Sequence, residues 1–400
     1  MQKLQASVTS AILQTVLCLL GGFFQVASAI AGDEPAALRG SITDDVGATA
    51  AGVTFGIGYT TNAGPVLSKP PSSFVDAGMA VLHKRVIGGN EATFELAISD
   101  REFTQRNDIK LFQYKAQASI SGKLATEGQI KTTFGSERPV EPEEDVTQTG
   151  VTIQYENPAA RLSPLVSVAA YYLDYADIPT LFLEGGNQDD RDRFSTVAQV
   201  GLRYRISDAF AVRFGAGTDR KHYVVQKDDF GFMRDSVSYF PFLGAGYASK
   251  AIAAEFLYAP VYRTYSDPSF TPLLAHTLTA RGEYEINASS KAFVVVRRGL
   301  EETDFPPAKS IIEVAVGGGV TVTTTGGSSV TAEIFHTERD FLGFDRMDRK
   351  IETTLRGKTP IGNDIYLTAE LRYLDFRTSY LDINTDMFLA MVGIAYTYSK

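Results

Sequence analysis

The feature that most constrains this chain is a run of strand-length blocks in which apolar and polar residues alternate, joined by connections that are in turn short and long. A period of two sends successive side chains to opposite faces, so each block reads as a strand with one apolar and one polar side. From Thr196 to Ile206, Ala198, Val200, Leu202, Tyr204 and Ile206 share one face, while Gln199, Gly201, Arg203 and Arg205 share the other. From Thr277 to Ile286, Leu278, Ala280, Gly282, Tyr284 and Ile286 oppose Thr277, Thr279, Arg281, Glu283 and Glu285. Farther on, Ile365, Leu367, Ala369, Leu371 and Tyr373 oppose Thr368, Glu370 and Arg372. A soluble sheet with one wet side has such faces, and so has a membrane barrel with lipid outside and water within.

The connections separate the two. Short turns fall near 88–90, 125–128, 157–161, 207–209, 249–250, 287–290, 326–328 and 362–364. Longer polar connections lie at 61–71, 104–110, 138–144, 177–190, 226–233, 267–271, 304–310, 342–346 and 379–386. A transmembrane barrel requires this order, with tight turns on the periplasmic rim and larger loops outside. A soluble sandwich has no reason to keep it. The expected fold is therefore all-β: a transmembrane, antiparallel, up-and-down β-barrel of about 18 strands over residues 48–400. The count becomes about 16 if weak blocks between Leu111 and Gln154 merge. An even number places both termini on the periplasmic side. Closure also answers the demand that every backbone amide in a bilayer find a partner.

Residues 1–31 read as a secretory signal peptide: Lys3, an apolar stretch from Ala11 to Phe24, then Ala27, Ser28, Ala29 and Ala31. Residues 32–47 are expected to form a short periplasmic lead-in. No later run of about 18 apolar residues suits a spanning helix, and the expected location is the outer membrane of a Gram-negative cell. The single cysteine, Cys18, lies in the signal core behind Val16 and Leu17, not the small residues a lipoprotein needs. Its loss would leave no thiol for disulfides, catalysis or metal. With Lys3 also gone, 37 basic residues (38 − 1) face 47 acidic ones, a net of −10. That excludes the concentrated positive charge a nucleic-acid partner requires.

The 19 Tyr and 25 Phe suit strands and the interfacial girdles of a barrel, and the absence of Trp departs from that type. The last block puts Phe388, Ala390, Val392, Ile394, Tyr396 and Tyr398 on one face. Such a closing strand is expected to address the barrel-assembly machinery, although Ser399 and Lys400 follow its final aromatic.

Recurring phrases carry a family likeness between Arg191 and Lys400. Tyr204-Arg205-Ile206-Ser207-Asp208 and Tyr284-Glu285-Ile286-Asn287 end strands at tight turns. Arg298-Gly299-Leu300-Glu301-Glu302-Thr303 and Asp345-Arg346-Met347-Asp348-Arg349 mark outer loops, and Arg372-Tyr373-Leu374-Asp375 closes the series. In these phrases the chain resembles the Putative beta-barrel porin 2 family of proteobacterial outer-membrane proteins. The resemblance implies an association with exopolysaccharide or capsule export, and it brings no catalytic residues with it.

His83, His222, His276 and His336 sit in no G-x-S-x-G elbow or H-E-x-x-H helix and read as wall or rim residues. Gly317-Gly318-Gly319 lies inside a strand-like block without a following helix or Lys-Ser/Thr, so it reads as close packing or a bend in the wall. Glu141, Glu143, Glu144, Asp189, Asp190 and Asp192 lack EF-hand spacing and read as solvated loops. Neither cofactor nor metal is expected.

The polar faces give the candidate lumen lining: Arg203, Arg205, Arg213, Arg281, Glu283, Glu285, Glu370 and Arg372. These would set the field in a channel, or hold the wall as Arg/Glu ladders, or both. The expected function is a porin-like passive channel, with an accessory role in polysaccharide export on the strength of the resemblance. Outer-membrane lipid or lipopolysaccharide, polysaccharide and small solutes are the expected partners. The alternatives are an outer-membrane enzyme acting on lipid or polysaccharide, and a plugged barrel that binds a partner.

Overall fold

The computed structural model describes residues 49–61, 71–87, 90–104, 110–123, 129–138, 146–157, 160–175, 189–303, 305, 307–380 and 383–399. The expected signal peptide (1–31), the expected lead-in (32–47) and Glu141, Glu143 and Glu144 lie outside them.

Eighteen strands follow in order. The first six are β1 (Thr49–Thr60), β2 (Ser72–Ile87), β3 (Asn90–Phe103), β4 (Lys110–Lys123), β5 (Gln129–Arg138) and β6 (Val146–Glu156). Next come β7 (Leu162–Tyr175), β8 (Arg193–Arg205), β9 (Phe210–Tyr223), β10 (Ser236–Ala248), β11 (Ile252–Tyr265) and β12 (Leu273–Asn287). The last are β13 (Ser290–Glu301), β14 (Ser310–Thr323), β15 (Ser329–Leu342), β16 (Met347–Gly362), β17 (Ile365–Thr378) and β18 (Ile383–Ser399).

Each strand pairs antiparallel with the next, and β18 returns to β1 with Thr60 opposite Leu389 and Ala50 opposite Ser399. The sheet is thus a closed barrel and no strand is left as an edge. Both ends of the described chain lie at the rim of short turns, and the strand ends that the long connections join lie at the other.

The blocks around Leu111–Gln154 remain separate as β4, β5 and β6. Their pattern is thin because alanine fills much of the outer face of β4, at Ala116 and Ala118 between Phe112 and Ile120. The final strand starts at Ile383, four residues before Met387, where its apolar pattern begins. Its first turn-ward residues, Asn384 and Asp386, face outward beside Arg377 and Asp375 of β17, so polar pairing conceals the strand.

Alternation sorts the walls. On β8, Phe194, Val200 and Leu202 are exposed outward, whereas Arg193, Ser195 and Val197 are buried on the lumen side. Tyr247, Tyr284, Tyr396 and Tyr398 ring the outer face near the short turns; Tyr59, Phe194, Tyr239, Tyr262 and Phe388 ring it near the long loops. Between Phe388 and Tyr398 a tilted strand climbs about 25 Å, the height of an outer-membrane apolar band.

Inside, aromatic rings lie against glycines on nearby strands. The Phe242 ring covers Gly215 and Gly201, Phe240 covers Gly217, Phe293 covers Gly319, and Phe335 covers Gly317. A Cβ on Gly317 would stand 2.1 Å from Phe335 Cδ1. The glycine run is therefore wall packing, as its strand context indicated. Tight turns also use backbone freedom: Asp364 takes a φ of 60° between β16 and β17, a conformation aspartate tolerates.

Candidate functional site

The lumen-side charges form ion pairs that step over strands. Arg203 donates to Glu156 at 2.7 Å, and Arg213 to Glu255 at 2.6 Å. The two arginines face each other directly across β8 and β9, a repulsive arrangement unless each finds its own acid. Arg213 gets there by passing over Gly244 of β10, where a Cβ would lie 2.7 Å from its Nε.

Farther round, Arg356 joins Glu333 (2.9 Å) to Glu370 (3.2 Å), and Arg372 pairs with Glu352 at 2.9 Å. Arg281 pairs with Glu283 at 2.7 Å, and Lys291 with Glu285 at 2.9 Å. Arg205 ends β8 on the same face as Arg203. The structure therefore places seven of the eight sequence candidates in ion pairs, most with partners the sequence had not singled out.

Exposure changes along the lumen. Near the short turns, the Arg281 and Glu283 side chains are 47% and 38% exposed. Near the long loops, Arg193 and Arg263 are 7% and 2% exposed although they face the same lumen. Arg193 lies against the Tyr175 and Tyr223 rings, and Arg263 meets Glu302 in the chain that leaves β13.

Glu302, just beyond β13, accepts from Lys221 Nζ (2.7 Å) and Arg263 Nη1 (2.6 Å) on Oε1, and from the Tyr223 hydroxyl (2.9 Å) on Oε2. Lys221 and Tyr223 belong to β9, four strand steps from β13, or about 19 Å along the wall. Two side chains cannot span that, so the chain turns inward at Glu302.

Three residues on, Phe305 packs edge-to-face against Phe341, Phe344 and Tyr380, with ring centroids 6.0, 4.7 and 5.3 Å away. Tyr380 lies in the connection after β17. Arg346 sits over Phe341 at 3.9 Å and is held by Asp348 at 2.5 and 2.9 Å. A third tie joins Arg234 Nη1, beyond β9, to the Ala308 carbonyl at 2.7 Å. The β13–β14 loop is thus fastened to β9 and to the connection after β17, eight places apart (17 − 9) in a ring of eighteen. It turns in at the mouth of the barrel.

Burial opposes the charge on Glu302, but Lys221, Arg263 and Arg193 outweigh it and hold the carboxyl well below the usual carboxylate range. Asp267, between β11 and β12, is lowered by the backbone N–H groups of Met233 and Ser269, which bind that loop to the one after β9.

Sequence reasoning missed this hub. Glu301 and Glu302 stand within the phrase Arg298–Thr303 already singled out, but Lys221, Tyr223 and Arg263 sit on three-dimensional neighbours with no shared motif. Asp192 also departs from expectation. It is buried and accepts from the Tyr175 amide (2.8 Å) and the Tyr172 hydroxyl (3.2 Å), closing the top of β7 instead of meeting solvent.

The histidines lie on the outer face. His83 meets Thr49 at 2.9 Å, His222 meets Asp235 at 2.7 Å, and His276 meets the Tyr258 hydroxyl at 2.6 Å. His336 stands 3.4 Å from Glu338. Among the described residues no group of His, Cys, Asp and Glu is arranged to hold a metal ion.

A closed eighteen-stranded barrel with an apolar outer band, a charged lumen and a loop turned in at its mouth is a porin-like outer-membrane barrel. The chain belongs to the Putative beta-barrel porin 2 family, which matches residues 102–398. Among solved structures it is similar to Pseudomonas aeruginosa OccK2 (OpdF), with a TM-score of 0.52 at 10% identity, over 88% of this chain and 98% of that one. OccK2 in complex with glucuronate matches with a TM-score of 0.50 at 12% identity, over 89% of this chain and 98% of that one. At such identities the likeness is one of fold. No curated protein sequence matches the chain.

Proposed function

We propose that the protein is a passive conduit for hydrophilic solutes across the outer membrane, in which no bond is made or broken. The observation that carries this reading is the lumen itself. Water-accessible charge at Arg281, Glu283, Glu285 and Lys291 leads toward a mouth narrowed by a fastened loop. Fixed charge at close quarters sorts ions and polar solutes. The short-turn rim, with both termini, faces the periplasm after removal of residues 1–31, and assembly machinery and lipopolysaccharide are its partners in the membrane.

The finer role is accessory to exopolysaccharide or capsule export. The family resemblance supports it, and so does the inner wall, where the Phe240, Phe242, Phe293 and Phe335 rings lie against glycines among charged rungs. Ring faces and paired charges together suit the apolar faces and hydroxyls of sugars.

The test is single-channel conductance of the refolded mature protein in a planar bilayer. Steady, ohmic openings are expected. Silence from a protein shown to be folded would reject the conduit in favour of a plugged barrel that works by binding.

A further inference from the structure

Glu302 is bound as a ligand would be. Its two oxygens divide three donors: Lys221 Nζ and Arg263 Nη1 on one, the Tyr223 hydroxyl on the other. Beside them is buried Arg193, whose Nε has no hydrogen-bond partner among the described residues and whose guanidinium lies over the Tyr175 and Tyr223 rings. The acids within reach are Glu302, Asp219, which stands 3.4 Å from Lys221 Nζ, and Glu301, which Arg297 holds and which Lys221 and Arg263 also attract. Lys221, Arg263 and Arg193 thus meet three carboxylates, and one of the three, Glu302, lies beyond the wall strands.

The β13 ladder ends with Glu301 opposite Ile311, so Glu302 can leave without breaking a strand pair. The far end of the loop is held separately, by packing around Phe305.

The surroundings are rich in hydroxyls. Arg263 donates to Ser238 and Ser310, both at 3.0 Å, and the Tyr265 hydroxyl meets Ser310 at 2.7 Å. We infer that this cluster is a binding site for sugar acids entering the lumen, and that Glu302 is its tethered resident, displaced when a solute carboxylate takes its place. The cations take the solute's carboxylate, and Ser238, Ser310 and Tyr265 meet its hydroxyls. A charge-assisted pair is strong enough to hold a solute briefly, and a competing tethered acid keeps it from staying.

This inference rests on the conduit reading, and the test separates the two. Glucuronate and glucose differ in one carboxylate, so each is added to wild-type channels in a planar bilayer. Glucuronate should interrupt the current in proportion to its concentration, and glucose at equal concentration should not. In Glu302→Ala the half-blocking glucuronate concentration should fall about tenfold, because a tethered competitor acts at millimolar effective concentration. In Lys221→Gln the preference for glucuronate over glucose should weaken or vanish. Equal effects of the two sugars on wild type, or an unchanged half-block in a folded Glu302→Ala, would overturn the site. If the channel does not conduct, calorimetric titration of the folded protein in detergent with both sugars still decides it: preferential glucuronate binding keeps the site and rejects only the conduit, and equal or absent binding rejects the site.

Discussion

Replacing Gly215 by alanine should both weaken the barrel and narrow it. Gly215 sits on the lumen face of β9, where an added Cβ would stand 2.2 Å from the Val200 carbonyl oxygen, 2.5 Å from Phe242 Cζ and 2.6 Å from Gly201 Cα. Ordinary carbon–oxygen contact is above about 3 Å, and two of these neighbours are backbone, which cannot swing away. The methyl must therefore prise β8 from β9 or lift the Phe242 ring into the lumen. Overpacking of this kind costs about 1–3 kcal/mol. The control is Gly246→Ala on β10, where a Cβ meets nothing within 4 Å. That change should be neutral or should stabilise by about 0.5 kcal/mol, since alanine loses less entropy in a strand. Urea titration of the protein folded into lipid vesicles, followed by the gel shift that separates folded from unfolded barrels, reads the difference. Single-channel conductance reads the displaced ring. Equal midpoints for the two variants would refute the reasoning, because only the neighbours of the new methyl distinguish them.

Glu302→Gln leaves Arg263 and Lys221 buried without their shared acid and should cost about 3 kcal/mol. Because the folded carboxyl titrates far below its unfolded value, its contribution is fully present above the unfolded pKa and is lost only as pH falls through the folded one. The stability gap between wild type and variant should therefore stay constant from pH 8 to about 5 and shrink only in stronger acid. Arg213→Gln and Glu255→Gln should each destabilise, and the double variant should recover about 1–3 kcal/mol of their summed cost in a double-mutant cycle. Phe305→Ala removes the ring that anchors the loop against Phe341, Phe344 and Tyr380; larger, noisier openings with little change in the urea midpoint are expected, and an unchanged conductance would show that the loop does not narrow the path.

Much of the architecture was legible because lipid and water impose a period of two on every strand, and because one rim turns tightly while the other does not. Thr277–Ile286 and Ile365–Tyr373 displayed their faces plainly for that reason. The pattern faded where the outer face passes from hydrocarbon to headgroups. At Asn384 and Asp386 polar residues pair outward, so the start of β18 looked like loop. The lumen charges could be assigned to a face but not to one another. Arg203 chooses Glu156 two strands away, and Arg213 reaches Glu255 across a glycine, choices set by the stagger of strands and invisible to spacing. The Glu302 hub was hidden further, since its donors come from β9 and β11 and meet only when a loop folds into the mouth.

A loop tied at two nearly opposite points behaves as a bar, not as a flap. What passes is then set by cross-section and not by mass: a long, thin chain can be reeled through an aperture that turns back a compact molecule of a fraction of its weight. A series of linear and branched oligosaccharides of equal size should be sorted by that bar according to shape.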